Sequence, residues 1–200
     1  MSKIILFIFP LVLFFSNFQT GPQEEVKIKK GVKKQIELNI GDEGPSFYLR
    51  DLNGEGVFLR DYTGEILRKP WLERPKHIVI LSFFATYCIP CKKELPLLQK
   101  IHDDYSSKGV KVFLIDIMEK KEIVISFLEE LKVNLPVLMD TYGVVAEKYG
   151  VTTLPRLFIL DRNGKIALKR RGLESEEEFV ESVRGTLDKL LKAEEIREEG

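Results

Sequence analysis

The chain has 200 residues, which suits one domain with terminal extensions. Lys+Arg and Asp+Glu both number 31, so the formal net charge is zero and gives no argument for a nucleic-acid partner. An apolar share of 44% with 13 Phe can build a core without a disulfide framework, and the 31% charged content reads as a solvated surface.

Residues 1–20 differ in character from the rest of the chain. Lys3 precedes Ile4 to Phe15, an apolar run interrupted only by Pro10. It falls short of the ~20 residues a membrane-spanning helix needs and fits the core of a secretory signal. Ser16-Asn17-Phe18-Gln19-Thr20-Gly21 is a poor cleavage site, so an uncleaved anchor stays open, and no cysteine is placed there for a lipid. Lys27, Lys29, Lys30, Lys33 and Lys34 come after the run and, by the positive-inside rule, oppose an exported orientation. Export remains the expectation. Residues 21–44 read as a charged spacer holding at most one short strand.

From residue 45 the text is that of a folded domain, expected to reach residue 192. Phe47-Tyr48-Leu49 and Val57-Phe58-Leu59 flank Asn53-Gly54 and predict a β-hairpin. Residues 61–77 are irregular. Ile78 to Phe84 is an almost continuous apolar run, which predicts a strand buried on both faces. A helix comes next over 89–105, with Leu95, Leu98, Ile101, His102 and Tyr105 on one face. Val110 to Ile115 predicts a strand, and Lys121 to Leu131 a helix with Ile125 and Leu128 inward. Leu135–Leu138 is extended and Tyr142–Tyr149 a short helix. Arg156–Leu160 and Lys165–Leu168 pair across an Asp161-Arg162-Asn163-Gly164 turn. A last helix spans 175–191, opened by a Ser175/Glu178 capping box, with 193–200 as a charged tail. Strands alternating with helices predict an α/β three-layer α/β/α sandwich on a mixed central sheet.

The only two cysteines, Cys88 and Cys91, stand where the buried strand gives way to a helix. A bridge at this spacing closes so small a loop that the chain-entropy gain is only about 2 kcal/mol, so it is a poor staple. It is well placed for exchange chemistry. The thiolate is the nucleophile, and a helix start stabilises it through unpaired N–H groups and the dipole. Cys88 can attack, and Cys91, one turn on, can resolve the mixed disulfide. Pro90 suits the first turn, where its missing N–H has no helical partner. A zinc site would need two further ligands; there is no third cysteine, and His77 and His102 are the only histidines, so no metal is expected.

The segment Ser82-Phe83-Phe84-Ala85-Thr86-Tyr87-Cys88-Ile89-Pro90-Cys91-Lys92-Lys93-Glu94-Leu95-Pro96 resembles the active-site segment of membrane-associated thioredoxin-like proteins of the TlpA/ResA group. Gly150-Val151-Thr152-Thr153-Leu154-Pro155 resembles that group's cis-proline loop, and Phe158 to Gly164 the strand and turn after it. The resemblance covers roughly residues 45–191. It implies a thioredoxin fold with an N-terminal β-hairpin and an extra inserted helix, here at 121–131. It implies a protein-disulfide oxidoreductase, exported to the periplasm or anchored on the outer face of the cytoplasmic membrane. Clients would be disulfide-containing proteins such as apocytochrome c, and the pair would be served by an upstream thiol reductant, for which a membrane-embedded protein is one candidate. The enzyme is expected to be a monomer and to use no cofactor beyond the Cys88–Cys91 disulfide. Cys88, Cys91 and Glu94 are the expected catalytic residues, with Tyr87, Ile89, Pro90, Leu154 and Pro155 at the substrate.

There are departures from the group. Tyr87 replaces the usual Trp, and Ser82 replaces the buried Asp of thioredoxins, their internal proton acceptor. Residues 64–77 are longer than the usual link. A disulfide oxidase or isomerase on the same fold is the first alternative. A peroxiredoxin-like peroxidase is another, but Leu81–Tyr87 lacks the Pro-x-x-x-Thr/Ser-x-x pattern before the cysteine.

Overall fold

The computed structural model describes residues 37–65 and 74–198. The apolar segment 1–20, the spacer up to residue 36 and most of the 64–77 link lie outside the described residues. Among the described residues no helix is long and apolar enough to cross a membrane.

The elements run β1 (Tyr48–Asp51), β2 (Gly56–Phe58), β3 (Ile78–Phe84), α1 (Ile89–Tyr105), β4 (Val110–Ile117), α2 (Lys121–Leu131), β5 (Val137–Asp140), α3 (Val144–Lys148), β6 (Arg156–Leu160), β7 (Ile166–Arg171) and α4 (Glu176–Glu198). The strands form one seven-stranded sheet in the order β2-β1-β5-β4-β3-β6-β7. β3, β4 and β5 are parallel, while β6, β7 and the β1–β2 hairpin run antiparallel to their neighbours.

All seven residues of β3 are buried. Side chains alternate across a strand, so Ile78, Ile80 and Phe84 pack with α1, α2 and α4. Val79, Leu81 and Phe83 pack on the other face with α3. Both faces of the sheet are therefore covered, which gives three layers. On the second face Phe83, Phe158 and Tyr149 form an aromatic cluster, with ring centroids 5.1 to 6.1 Å apart.

The two hairpins share one turn chemistry, Asp-x-Asn-Gly. Asp51 Oδ1 accepts from the N–H groups of Asn53 and Glu55, both at 2.8 Å. Asp161 Oδ1 does the same for Asn163 and Lys165 at 2.9 and 2.8 Å. Gly54 and Gly164 take φ of 85° and 78°, a left-handed conformation that glycine adopts without a Cβ penalty.

Three expectations are corrected. Ile125 is only half-buried, and Val124, Phe127 and Leu128 form the inward face of α2, because its helical phase is set by Phe127 stacking on Phe84 at 6.0 Å. The expected end of the last helix at Leu191 gives way to one that continues to Glu198, where Glu194 pairs with Arg162 at 2.9 Å. The capping box is half-formed. Ser175 Oγ accepts from Glu178 N at 3.3 Å, but the Glu178 carboxylate turns away to Arg170.

Phe158→Ala, which opens the aromatic cluster, is expected to cost about 3–5 kcal/mol in denaturant titration. Ile123→Ala, at a position 51% exposed, is expected to stay within about 0.5 kcal/mol of wild type. Comparable losses at both positions would contradict this assignment of the core.

Candidate active site

β3 ends at Phe84, and the chain turns tightly before α1 begins, with Cys88 N donating to Ala85 O at 3.1 Å. Cys88 is the N-cap of α1, with extended backbone angles (φ −80°, ψ 104°). Its Sγ accepts from Cys91 N at 3.3 Å, so one open amide of the helix start points at this sulfur. Pro90 occupies the first turn. Cys88 and Cys91 are disulfide-bonded, with Cα atoms 5.2 Å apart. Cys88 keeps 7% exposure and Cys91 has none. The sulfur at the helix start is thus the one a client can reach.

Tyr87 and Ile89 flank the reachable sulfur and are 75% and 74% exposed. Neither side chain belongs to the core. β6 runs antiparallel to β3 with Arg156 paired to Phe83. Pro155, one residue earlier, therefore sits at the sheet end where β3 delivers the cysteines. The Leu154–Pro155 peptide bond is cis. Leu154 packs against the same core cluster as Cys88, while Thr152 and Thr153 are exposed and belong to no strand.

Glu94 is three residues beyond Cys91 on the same face of α1, and it is 1% exposed. Ser82 Oγ donates to Glu94 Oε1 at 2.8 Å. The carboxyl therefore lies against the middle of β3, under the helix that carries the cysteines. Burial pushes its pKa up to about 7; the Ser82 hydrogen bond and the Arg170 guanidinium pull the other way without offsetting it. Ser82 replaces an internal acid in sequence, but the acid is not lost: it reaches the same strand position from α1. Periodicity alone could have placed Glu94 inward, since it shares a stripe with Cys91, Leu98 and Ile101.

A second set of polar contacts was not legible in the sequence. Glu119, just past β4, accepts from Thr86 N at 2.5 Å and from Thr86 Oγ1 at 2.6 Å. Asp116, the fully buried penultimate residue of β4, accepts from Glu119 N at 3.2 Å. Burial first, then Glu119 and Asp140, raise the Asp116 pKa to about 7, against the bond from Glu119 N. The available signal was an acidic residue set between Ile115 and Ile117 at the end of a mostly apolar strand. Among the described residues no cluster of His, Cys, Asp and Glu is arranged to hold a metal ion.

The Glu94 shift has a definite sign. The carboxyl holds its proton in the folded state up to about pH 7, but loses it near 4.5 when unfolded. Folding stability from this group is therefore fully present below pH 4.5 and declines as pH rises toward 7, by about 3 kcal/mol. Glu94→Gln keeps an acceptor for Ser82 and removes the titration. In denaturant melts of oxidised protein it should match wild type near pH 4.5 and exceed it at pH 8. Parallel stability–pH curves for the two proteins would refute the buried-acid assignment.

Residues 40–169 match the model of the AhpC/TSA family. The thiol-disulfide oxidoreductase ResA of Bacillus thuringiensis subsp. konkukian is 31% identical over 148 residues, which cover 74% of this chain and 79% of that relative. ResA of Bacillus subtilis is 33% identical over 129 residues, covering 64% and 65%. Among solved structures, StoA of Bacillus subtilis superposes with a TM-score of 0.54 at 26% identity, covering 69% of this chain and 96% of that one. A thiol:disulfide interchange protein from Bacteroides sp. superposes with a TM-score of 0.61 at 24% identity, covering 75% and 91%, and supports the thioredoxin-like fold. With a disulfide-bonded cysteine pair at the head of α1 and this kinship along most of its folded part, the chain belongs to the AhpC/TSA family and, within it, to the ResA-type thiol-disulfide oxidoreductases.

Proposed function

We propose that this oxidoreductase works outside the cytoplasm as a reductant of disulfides in exported client proteins, the cysteines of an apocytochrome c among them. The observation that carries the exchange chemistry is the asymmetry of the pair: Cys88 is reachable at a helix start, and Cys91 is sealed one turn deeper; Ile89 and Pro90, with no His between the cysteines, favour the reducing direction. The apolar segment 1–20, read as a signal or anchor, supports the location.

The placement of the groups supports a two-step exchange. In the reduced protein the Cys88 thiolate attacks one sulfur of the client disulfide. A mixed disulfide forms, and the first client thiolate leaves and takes up a proton from solvent. Cys91 then gives up its proton, and its thiolate attacks Cys88 Sγ. The Cys88–Cys91 disulfide closes, and the second client sulfur leaves as a thiolate that takes up a proton from solvent. To Glu94 we assign the role of taking the Cys91 proton; its burial on the same helix face and a pKa raised to about 7 support this. A thiol reductant upstream returns the pair to the dithiol. Tyr87 and Ile89 supply apolar contact to the client. The strandless stretch before Pro155 offers backbone for an extended client segment to pair with.

Cys91→Ser should accumulate a client–protein mixed disulfide through Cys88, visible as a mass adduct on the 88–91 peptide, whereas Cys88→Ser should accumulate none. An adduct on Cys91 in the Cys88→Ser protein would reverse the assigned roles.

A further inference from the structure

The contacts around Thr86 join two elements that the redox cycle above does not use. β4 lies parallel to β3, with Asp116 paired to Phe84, so both strands end at the same level. Beyond Ile117 the chain bends sharply at Met118, whose φ is 60°. That left-handed conformation is uncommon for a side-chain-bearing residue other than Asn or Asp and carries a backbone cost. Met118 is 65% exposed, so core packing does not require the bend. Two hydrogen bonds frame it: Met118 N donates to Asp140 O at 3.2 Å, and Glu119 N donates to Asp116 Oδ2 at 3.2 Å. The bend delivers the Glu119 carboxylate back across the sheet end onto Thr86. There both oxygens are used, one on the backbone N–H and one on the hydroxyl.

Thr86 lies inside the Ala85–Cys88 turn. Its Cα is at most about 7 Å from that of Cys88, the reach of two peptide units. We propose that Glu119 is a positioning residue for Cys88. It ties down the turn that presents the attacking sulfur, and it keeps a negative charge beside that sulfur. The inference rests on the reading of Cys88 as the attacking thiol.

Two opposed fields then meet at Cys88. The helix start favours the thiolate, and the Glu119 carboxylate disfavours it. Other charged groups stand around the turn, Lys120 and Lys121 next to Glu119 among them. From α1, Glu94 is buried against Ser82, and Lys92 and Lys93 are exposed, with Lys92 over the Phe127 ring. From β4 and β5 come the carboxyls of Asp116 and Asp140, the latter accepting from Ala146 N at 2.8 Å. From β6, Arg156 packs over the Phe158 ring in the second core cluster. Glu119 is thus a charge brought to the turn by a bent backbone, with Asp116 holding the bend.

The test is the pH dependence of iodoacetamide alkylation of Cys88 in the reduced full-length protein, followed by mass spectrometry. Glu119→Gln preserves both bonds to Thr86, since its carbonyl accepts from the N–H and its amide donates to the hydroxyl. Only the charge is lost. The alkylation midpoint should move to lower pH, raising the thiolate fraction about three- to tenfold at a fixed pH below it. Thr86→Val keeps the charge and the N–H bond, and its midpoint should stay at the wild-type value. A Glu119→Gln curve that superposes on wild type would overturn the proposal, and so would a Thr86→Val shift as large as that of Glu119→Gln. A wild-type protein that reduces no disulfide at all would instead overturn the dithiol reading beneath it.

Discussion

The architecture depends on one constraint: β3 must be buried on both faces and yet end at the surface with a reactive sulfur. Its seven residues leave no side chain exposed. A strand of that kind needs helices above and below it, and α1, α2 and α4 on one side and α3 on the other supply them. Because β3 lies between β4 and β6 in the sheet, its C-terminal end is also where the end of β4, the start of β6 and the head of α1 converge. The active site is the place where that buried strand stops.

Within this arrangement the single polar residue of β3 has a specific use. Ser82 faces α1, and without a partner its hydroxyl would be a costly group in an apolar layer. Glu94 satisfies it, and the pair places a titratable acid where water is excluded. A buried carboxyl destabilises the fold above its unfolded-state pKa. That cost is tolerable only where the proton is needed, and the neighbour one turn away is the buried cysteine. Stability and chemistry thus oppose each other at the same residue, as expected where a local rule is broken at a working site.

Much of the fold was legible because its signals are local. The apolar run of β3, the helical periods of α1 and α2, and the Asp-x-Asn-Gly turns are all written in contiguous residues. Cys88 and Cys91 were legible for the same reason, being close in sequence and set at a strand-to-helix junction. The contacts that were missed are between residues distant in sequence. Glu119 meets Thr86 across 33 positions, and nothing in Met118-Glu119-Lys120-Lys121 announces a bend back to the sheet end. The inward face of Glu94 was signalled by the stripe it shares with Cys91, Leu98 and Ile101, but its partner on β3 was not. Only the sheet register shows Ser82 waiting beneath it. The last turns of α4 lie past its apolar stripe, and there Glu194 pairs with Arg162 from a distant part of the sequence.

The direction of electron flow is the central claim, and the reduction potential of the Cys88–Cys91 pair tests it most directly. With Ile89 and Pro90 between the cysteines there is no imidazolium beside the Cys88 thiolate, and nearby carboxyls disfavour that thiolate further. Both features destabilise the reduced form and so lower the potential. Equilibration of the full-length protein against glutathione redox buffers should place the pair near the thioredoxin end of the scale, roughly −270 mV. A value above about −170 mV, toward the strongly oxidising proteins of this fold, would contradict a reductant and make the chain a donor of disulfides instead.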